Sequence, residues 1–299
     1  MLTSIIVVCT HGRPGEVREL ADLLAAIRGH RDVLVVDSSP DDATATVCRS
    51  FLFVRHQRSD RASLAYQRNR GIETARASGV EIVHFIDDDS RPPAGYFEAL
   101  EDVFATTDVA GVGGVLHGGP GAGWQWLKRL FQLDGPRPGA VLPSGRPTLG
   151  HLRGQGGDAS WLPGFAMSYR LAAIGDRRFD ERLTGSSFGE DMDFSFRLAR
   201  EHRLHLCAAA WTRHDRSSVN RVPARRFARH RTAASHRWVV ENREHGMRRS
   251  AFWWSLAGET GLRVAGAVLG RAATRGEHRA VAQGNLDGAR DILRGRVTL

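Results

Sequence analysis

Residues 81–93 of the 299-residue chain read EIVHFIDDDSRPP. The apolar run Ile82–Ile86 has the length of a buried strand. It ends in three adjacent carboxylates, Asp87, Asp88 and Asp89, and then in Pro92 and Pro93. Neighbouring acids repel one another unless a cation sits among them. In an open α/β sheet, ligands bind beyond the carboxyl ends of the strands. A divalent metal carrying phosphate oxygens meets both conditions. A solvated cap on the turn at Pro92 is the bland alternative.

Working outward, the β-branched run Ser4–Cys9 leads into Thr10-His11-Gly12-Arg13-Pro14-Gly15. Val17, Leu20, Leu23, Leu24 and Ile27 then recur at helical spacing. Asp32–Asp37, DVLVVD, reads as a second strand running into Ser38-Ser39-Pro40-Asp41-Asp42, and Phe51–Val54 as a short third. The pattern predicts a helix over 62–78 with Leu64, Ile72 and Ala75 inward, and another through Phe97, Leu100 and Phe104. Strands alternating with helices of this length imply a mostly parallel α/β sheet. Right-handed crossovers then set Asp37 and Asp87–Asp89 on one sheet edge.

The glycine cluster Gly111–Gly123 reads as a loop. Leu116–Asp158 reads as a long Gly/Pro-rich connection with an aromatic-basic insert, Trp124–Leu133, and a connection of that length is functional or disordered. Further on, Glu190, Asp191 and Asp193 open a predicted helix with Met192, Phe196 and Ala199 inward. Acids there favour the positive end of the macrodipole. A last strand, Leu204–Trp211, leads into Arg213-His214-Asp215.

The 41% hydrophobic and 25% charged fractions are those of an ordinary soluble protein. Apolar runs fall short of the ~18 residues of a spanning helix, and no basic leader precedes Ile5–Cys9. Cys9, Cys48 and Cys207, dispersed and odd in number, fit reduced thiols and a cytoplasmic protein. The turn after the first strand does not match G-x-G-x-x-G, and the chain contains no P-loop. The net charge of +9 is concentrated: from Arg213 to Arg249 eleven Arg face only Asp215, Glu241 and Glu244.

The segments IIVVCTHGRP, VLVVDSSPDDAT, QRNRGI, HFIDDDSRP, WLPGFAMSYR, RFDERL and FGEDMDFSFRL, with a downstream histidine, occur in an order that resembles the family 2 glycosyltransferases over about residues 3–215. The resemblance implies a GT-A fold, a Rossmann-like, mostly parallel sheet flanked by helices. The catalytic domain would span 1–220, with a nucleotide-sugar half to about 115 and an acceptor half over 116–220. Residues 221–299 would form a basic helical extension. The implied reaction is inverting transfer of a sugar from a UDP-, dTDP- or GDP-linked donor to a hydroxyl acceptor, whether a saccharide, a lipid-linked saccharide or a small molecule. Mg²⁺ or Mn²⁺ would assist it.

Residue by residue, the resemblance puts Thr10 and Arg13 where the family lodges the base. Asp37 would bond the nucleobase, Asp42 falls on a second, less constant acid, and Arg68 approaches the nucleotide. Asp87 lies toward ribose and metal, Asp89 is the metal ligand proper, and Asp88 belongs to the nucleotide-sugar group with its register open. His214 offers a further metal or pyrophosphate contact. Asp191 takes the position of the catalytic base with Glu190 as its rival, and Trp161, Gly164 and Asp193 fall on the acceptor side. Two departures touch the base pocket: Thr-His-Gly stands where the family commonly has Thr-Tyr-Asn, and Ser38 replaces its usual Asn. The chemistry agrees, since hard cations take carboxylate and phosphate oxygens and a sugar hydroxyl needs a general base.

In the C-terminal third, Arg221, Arg225, Arg226, Arg229, Arg231, Arg237, Arg243, Arg248 and Arg249 surround Trp238 and precede Phe252-Trp253-Trp254. One reading is a solvated helix face laced by Glu241 and Glu244. The other is peripheral contact with the anionic inner face of a membrane, where each basic residue adds ~1 kcal/mol. Residues 251–270 are apolar but broken by Glu259 and Arg263, so they would lie on a bilayer without crossing it. Beyond Arg271 the chain is polar and Ala/Gly/Arg-rich, and it says little. A non-catalytic GT-A-like module is the main alternative. A nucleic-acid binder would show a similar basic stripe but has no use for the acid clusters, so no nucleic-acid partner is expected.

Overall fold

The computed structural model describes residues 2–118, 125–148, 156–183, 188–215, 217, 219 and 222–296. Parts of the Leu116–Asp158 stretch, including Trp124, and Arg221 of the basic series lie outside these residues.

The chain divides into two compact units, Met1–Pro120 with His151–Glu181 and Glu190–Arg221, and Gly121–Gly150 with Arg182–Gly189 and Val222–Leu299. In the first, β1 (Ser4–Thr10) leads through α1 (Pro14–Ile27) to β2 (Asp32–Asp37), and α2 (Ala43–Arg49) leads to β3 (Val54–Arg58). Next come α3 (Leu64–Ala77), β4 (Ile82–Asp87), β5 (Ser90–Arg91), α4 (Tyr96–Thr106) and β6 (Gly111–Leu116). In the second unit, α5 is Gln125–Leu130. Back in the first are β7 (Gly157–Ala159), β8 (Ala166–Arg170), α6 (Leu171–Ile174), α7 (Glu190–Ala199) and β9 (Leu204–His214).

Among the described residues nine strands form one mixed, mostly parallel sheet in the order β3-β2-β1-β4-β8-β6-β9-β5, with β7 beside β9. The buried, β-branched β1 lies between two parallel neighbours, with Thr10 opposite Asp37 and Cys9 opposite Asp87. That register sets the two acidic strand ends on one sheet edge, on either side of the end of β1. On one sheet face, Val7, Phe85, Tyr169 and Phe194 pack with Ala65 and Ile72 of α3. On the other, Val8 and Ile86 meet Leu20 and Leu24 of α1 and Phe97 and Phe104 of α4.

Four sequence expectations change. Gly111–Leu116 is a buried sheet strand, not a loop. A Cβ on Gly111 would stand 2.8 Å from the Tyr169 ring and 3.0 Å from Leu162 and Leu204, so the glycine makes room for its neighbours' side chains. The third strand is Val54–Arg58 rather than Phe51–Val54. Phe51 and Phe53 instead meet edge-to-face before it, partly buried against the core. On α7 the inward aromatic is Phe194, not Phe196, and Ala199 is only partly buried. The last strand extends to His214.

The second unit also holds α8 (Ala224–Glu241), a short 3-10 turn Arg243–His245, α9 (Arg249–Leu269) and α10 (Ala272–Leu293). The polar, Ala/Gly/Arg-rich tail beyond Arg271 folds as a long helix. Gly284 and Gly288 let its backbone approach Arg225 and Arg229 of α8, where a Cβ would stand 2.2 and 2.8 Å from their carbonyl oxygens. Much of the arginine stripe is used inside the unit. Arg225 pairs with Asp287 at 2.8 Å, Arg229 with Asp291 at 2.5 Å and Arg237 with Glu241 at 2.6 Å. Arg231 reaches buried Glu259 at 2.7 Å, and Arg146 pairs with the same carboxylate. Asn285 completes this group, accepting from Arg231 at 3.1 Å.

Candidate active site

The site lies at the carboxyl end of β4. Asp87 ends the strand, Asp88 and Asp89 form the turn, and β5 then pairs with the end of β9, putting Ser90 opposite His214. This long-range pairing returns His214 to the triplet. Its Nε2 stands 2.8 Å from Asp89 Oδ1 and 3.7 Å from Asp87 Oδ2, and its ring stacks on Phe165 at 5.1 Å. Asp87, Asp89 and His214 each offer one ligand atom, all within 4.8 Å of one another. Two hard oxygens and one imidazole suit Mg²⁺ or Mn²⁺.

The three carboxylates have separate surroundings. Burial raises the pKa of Asp89, but the His214 hydrogen bond and charge, together with the Ser217 N–H at 2.8 Å, carry it down to about 2. Burial pushes Asp88 up to about 6 against the pull of Arg13 and Thr10. Asp88 turns away from the cluster, accepting from Thr10 Oγ1 at 2.7 Å and Arg13 Nη1 at 3.0 Å. Arg13 also reaches the Val219 carbonyl at 3.0 Å. Asp88 thus ties the triplet to the end of β1. Burial raises Asp87 as well, opposed chiefly by Arg68.

Arg68, 2% exposed, is the cation shared by the acids. It pairs with Glu190, donates to the Gly164 carbonyl at 3.0 Å and lies 3.5 Å from Asp87. Burial, with the charges of Asp191 and Asp87, pushes Glu190 up to about 8 despite Arg68. Asp191 is oriented from two sides, accepting from the N–H groups of Gly164 and Met192, each at 2.8 Å. A Cβ on Gly164 would stand 3.0 Å from Arg68 and 3.1 Å from Asp191, so glycine permits this close approach. Asp193 faces elsewhere and pairs with Arg197 at 2.8 Å. Trp161 is buried, with its indole N–H unpartnered among the described residues.

Asp37 is fully buried and held within the protein. It accepts from Ser39 N at 2.8 Å and from the Ser39 hydroxyl, with His56 Nε2 at 3.0 Å and Arg58 at 3.5 Å. Asp42, its side chain 83% exposed, pairs with Arg58. The structure therefore brings together Thr10, Arg13, Arg68, Asp87–Asp89, Gly164, Glu190, Asp191 and His214. Asp37 and Asp42 form a neighbouring group around Arg58.

Sequence reasoning missed His56, Ser39, Ser217 and the two residues flanking Arg68. Gln67 donates to the carbonyls of Thr10 at 2.9 Å and Val36 at 2.7 Å, fixing α3 against the strand ends. Asn69 bonds both N–H and C=O of Phe179, at 2.8 and 3.0 Å. Three consecutive polar residues within an otherwise ordinary helix were the available signal.

A family profile described as glycosyl transferase family 2 matches residues 5–181. No curated protein is a significant sequence match. Among solved structures, S. aureus TarS (residues 1–349) is 14% identical with a TM-score of 0.54, covering 99% of this chain and 83% of that one. The same TarS fragment in complex with UDP-GlcNAc has a TM-score of 0.52 at 14% identity, covering 98% and 92%. GalNAc-T7 with UDP, GalNAc and Mn²⁺ has a TM-score of 0.60 at 13% identity, covering 98% of this chain and 58% of that one.

Proposed function

The chain belongs to glycosyl transferase family 2, and from that premise we propose that it is an inverting, metal-assisted transferase moving a sugar from a nucleotide diphosphate to a hydroxyl acceptor. Nucleotide-sugar glycosyl transfer is the coarse activity of the family. The finer reading rests on one observation: Asp87, Asp89 and His214 lie within ligand distance of one another, linked through Arg68 and Gly164 to the oriented carboxylate of Asp191. UDP-sugars are the first donors to try, since one similar structure holds UDP-GlcNAc and another UDP with GalNAc.

The donor set fits a hard divalent cation, held by Asp87, Asp89 and His214. When bound, such an ion neutralises charge on the departing diphosphate. The chain's own residues do the rest. Asp191, partly exposed and fixed by two backbone N–H groups, takes the proton of the attacking hydroxyl. Glu190 is buried against Arg68 and cannot reach a substrate without breaking that pair, so it serves as anchor rather than base. Arg68 balances Asp87 and Glu190 and fixes the Gly164 carbonyl, which keeps the Gly164 N–H aimed at Asp191. One displacement with one base inverts the anomeric centre.

The test is incubation with UDP-, dTDP- and GDP-sugars and Mn²⁺ or Mg²⁺, following nucleotide release and product configuration by NMR. Release of the nucleoside diphosphate and an inverted product support the reading. A retained configuration, or no turnover with any donor, rejects it.

A further inference from the structure

The second unit carries 20 Lys and Arg against seven Asp and Glu, a surplus of 13, while the first has 22 against 26. Much of the α8 arginine stripe is committed to ion pairs, and the exposed surface of α9 comes forward. The inner face of α9 buries Ala251, Phe252, Ser255, Leu256 and Glu259. Its outer face is Trp254, Ala257, Gly261, Val264, Val268 and Leu269, all exposed. Spacings of three and four residues align the first five as one stripe, about 21 Å long at the α-helical rise. Trp254 is 48% exposed, Val264 50%, Val268 64% and Leu269 83%.

No ionisable residue interrupts this stripe. At one end Trp254 donates its indole N–H to the Leu130 carbonyl at 2.8 Å. That contact sets the exposed Trp126 and Leu130 of α5, with Lys128 and Arg129, beside it. At the other end follow exposed Arg271 and Arg275, the latter donating to the Gly270 carbonyl at 2.8 Å.

We infer that the outer face of α9 is a docking surface for an anionic lipid bilayer, in whose interface the helix lies flat. An exposed apolar stripe with an aromatic at one end and cations at both matches the acyl–headgroup boundary. Among the described residues no helix is long and apolar enough to cross a membrane, so the contact is peripheral. A second copy of the chain would bring an equally cationic unit to the same face. A nucleic acid would leave the uncharged stripe unused. The inference is independent of the reading of the active site.

The experiment is flotation of the full chain with vesicles of phosphatidylcholine alone or mixed with phosphatidylglycerol. The protein is expected to float with the anionic vesicles and to be released by salt. Val264→Glu with Val268→Glu should weaken binding roughly tenfold or more. Arg271→Ala and Arg275→Ala should each weaken it roughly fivefold, and circular dichroism confirms folding of every variant. Absence of flotation, or flotation unchanged by either set of substitutions, overturns the inference. So does a dimer that the glutamates dissociate without any vesicle binding, or a salt-sensitive oligonucleotide complex in its place.

Discussion

Arg68 and Glu259 are both buried ions, each bridging two side chains of the opposite acid–base type and each in a different compact unit. Arg68 stands between Glu190 and Asp87, and Glu259 between Arg146 and Arg231. The Glu259 group closes on itself, with Asn285 taking a remaining Arg231 donor and Thr260 accepting from Asn285 at 3.3 Å. The Arg68 group does not close. Asp87 shares the one guanidinium with Glu190, and it also faces Asp89 and His214 across a cluster that a divalent cation can fill. We read the closed buried charge group as scaffold and the open one as the proposed site.

The largest test of that contrast lies on the open side. Asp191→Asn should lower kcat by about 10²–10⁴ with little change in donor KM, measured by nucleotide release. Wild-type turnover would show that Asp191 is not the base. On the closed side, Glu259→Gln removes the buried charge that two half-buried arginines share and should cost about 3–5 kcal/mol in urea unfolding, with the fold's activity lost only through unfolding.

The two groups also respond oppositely to pH. Glu259 has a folded pKa lowered from 4.5 to about 2, chiefly by Arg146 and Arg231 against burial. Its folded form binds fewer protons than the unfolded chain, so stability is present above pH 4.5 and about 3 kcal/mol is lost on acidification toward 2. Glu190 has a folded pKa raised from 4.5 to about 8. Its contribution is present below 4.5 and lost as pH rises through 8. Urea midpoints in chelator should therefore fall with rising pH across that window, and Glu190→Gln should flatten the slope. The smallest effect belongs to the exposed pairs: Arg229→Ala should cost only about 0.2–1 kcal/mol, and a larger loss would make the α8–α10 pairing part of a closed group too.

The acidic strand ends and the helix opening at Glu190 were readable because strand period, acids and prolines are local signals. Gly111–Leu116 was not, since its glycines answer to Tyr169, Leu162 and Leu206 from elsewhere in the chain. The arginine stripe looked like one free surface because the partners of Arg225 and Arg229 lie 62 residues downstream. The saturation of Asp37 by His56 and Arg58 had no local mark either, as polar residues on an edge strand look merely solvated.

The most direct test of the open site is calorimetric titration of UDP-sugar with and without Mn²⁺ into wild-type protein and Asp89→Ala. The account predicts binding that requires the metal in the wild type and is lost in the variant, while both fold alike. Equal binding in chelator, or metal-dependent binding undiminished in Asp89→Ala, would contradict it.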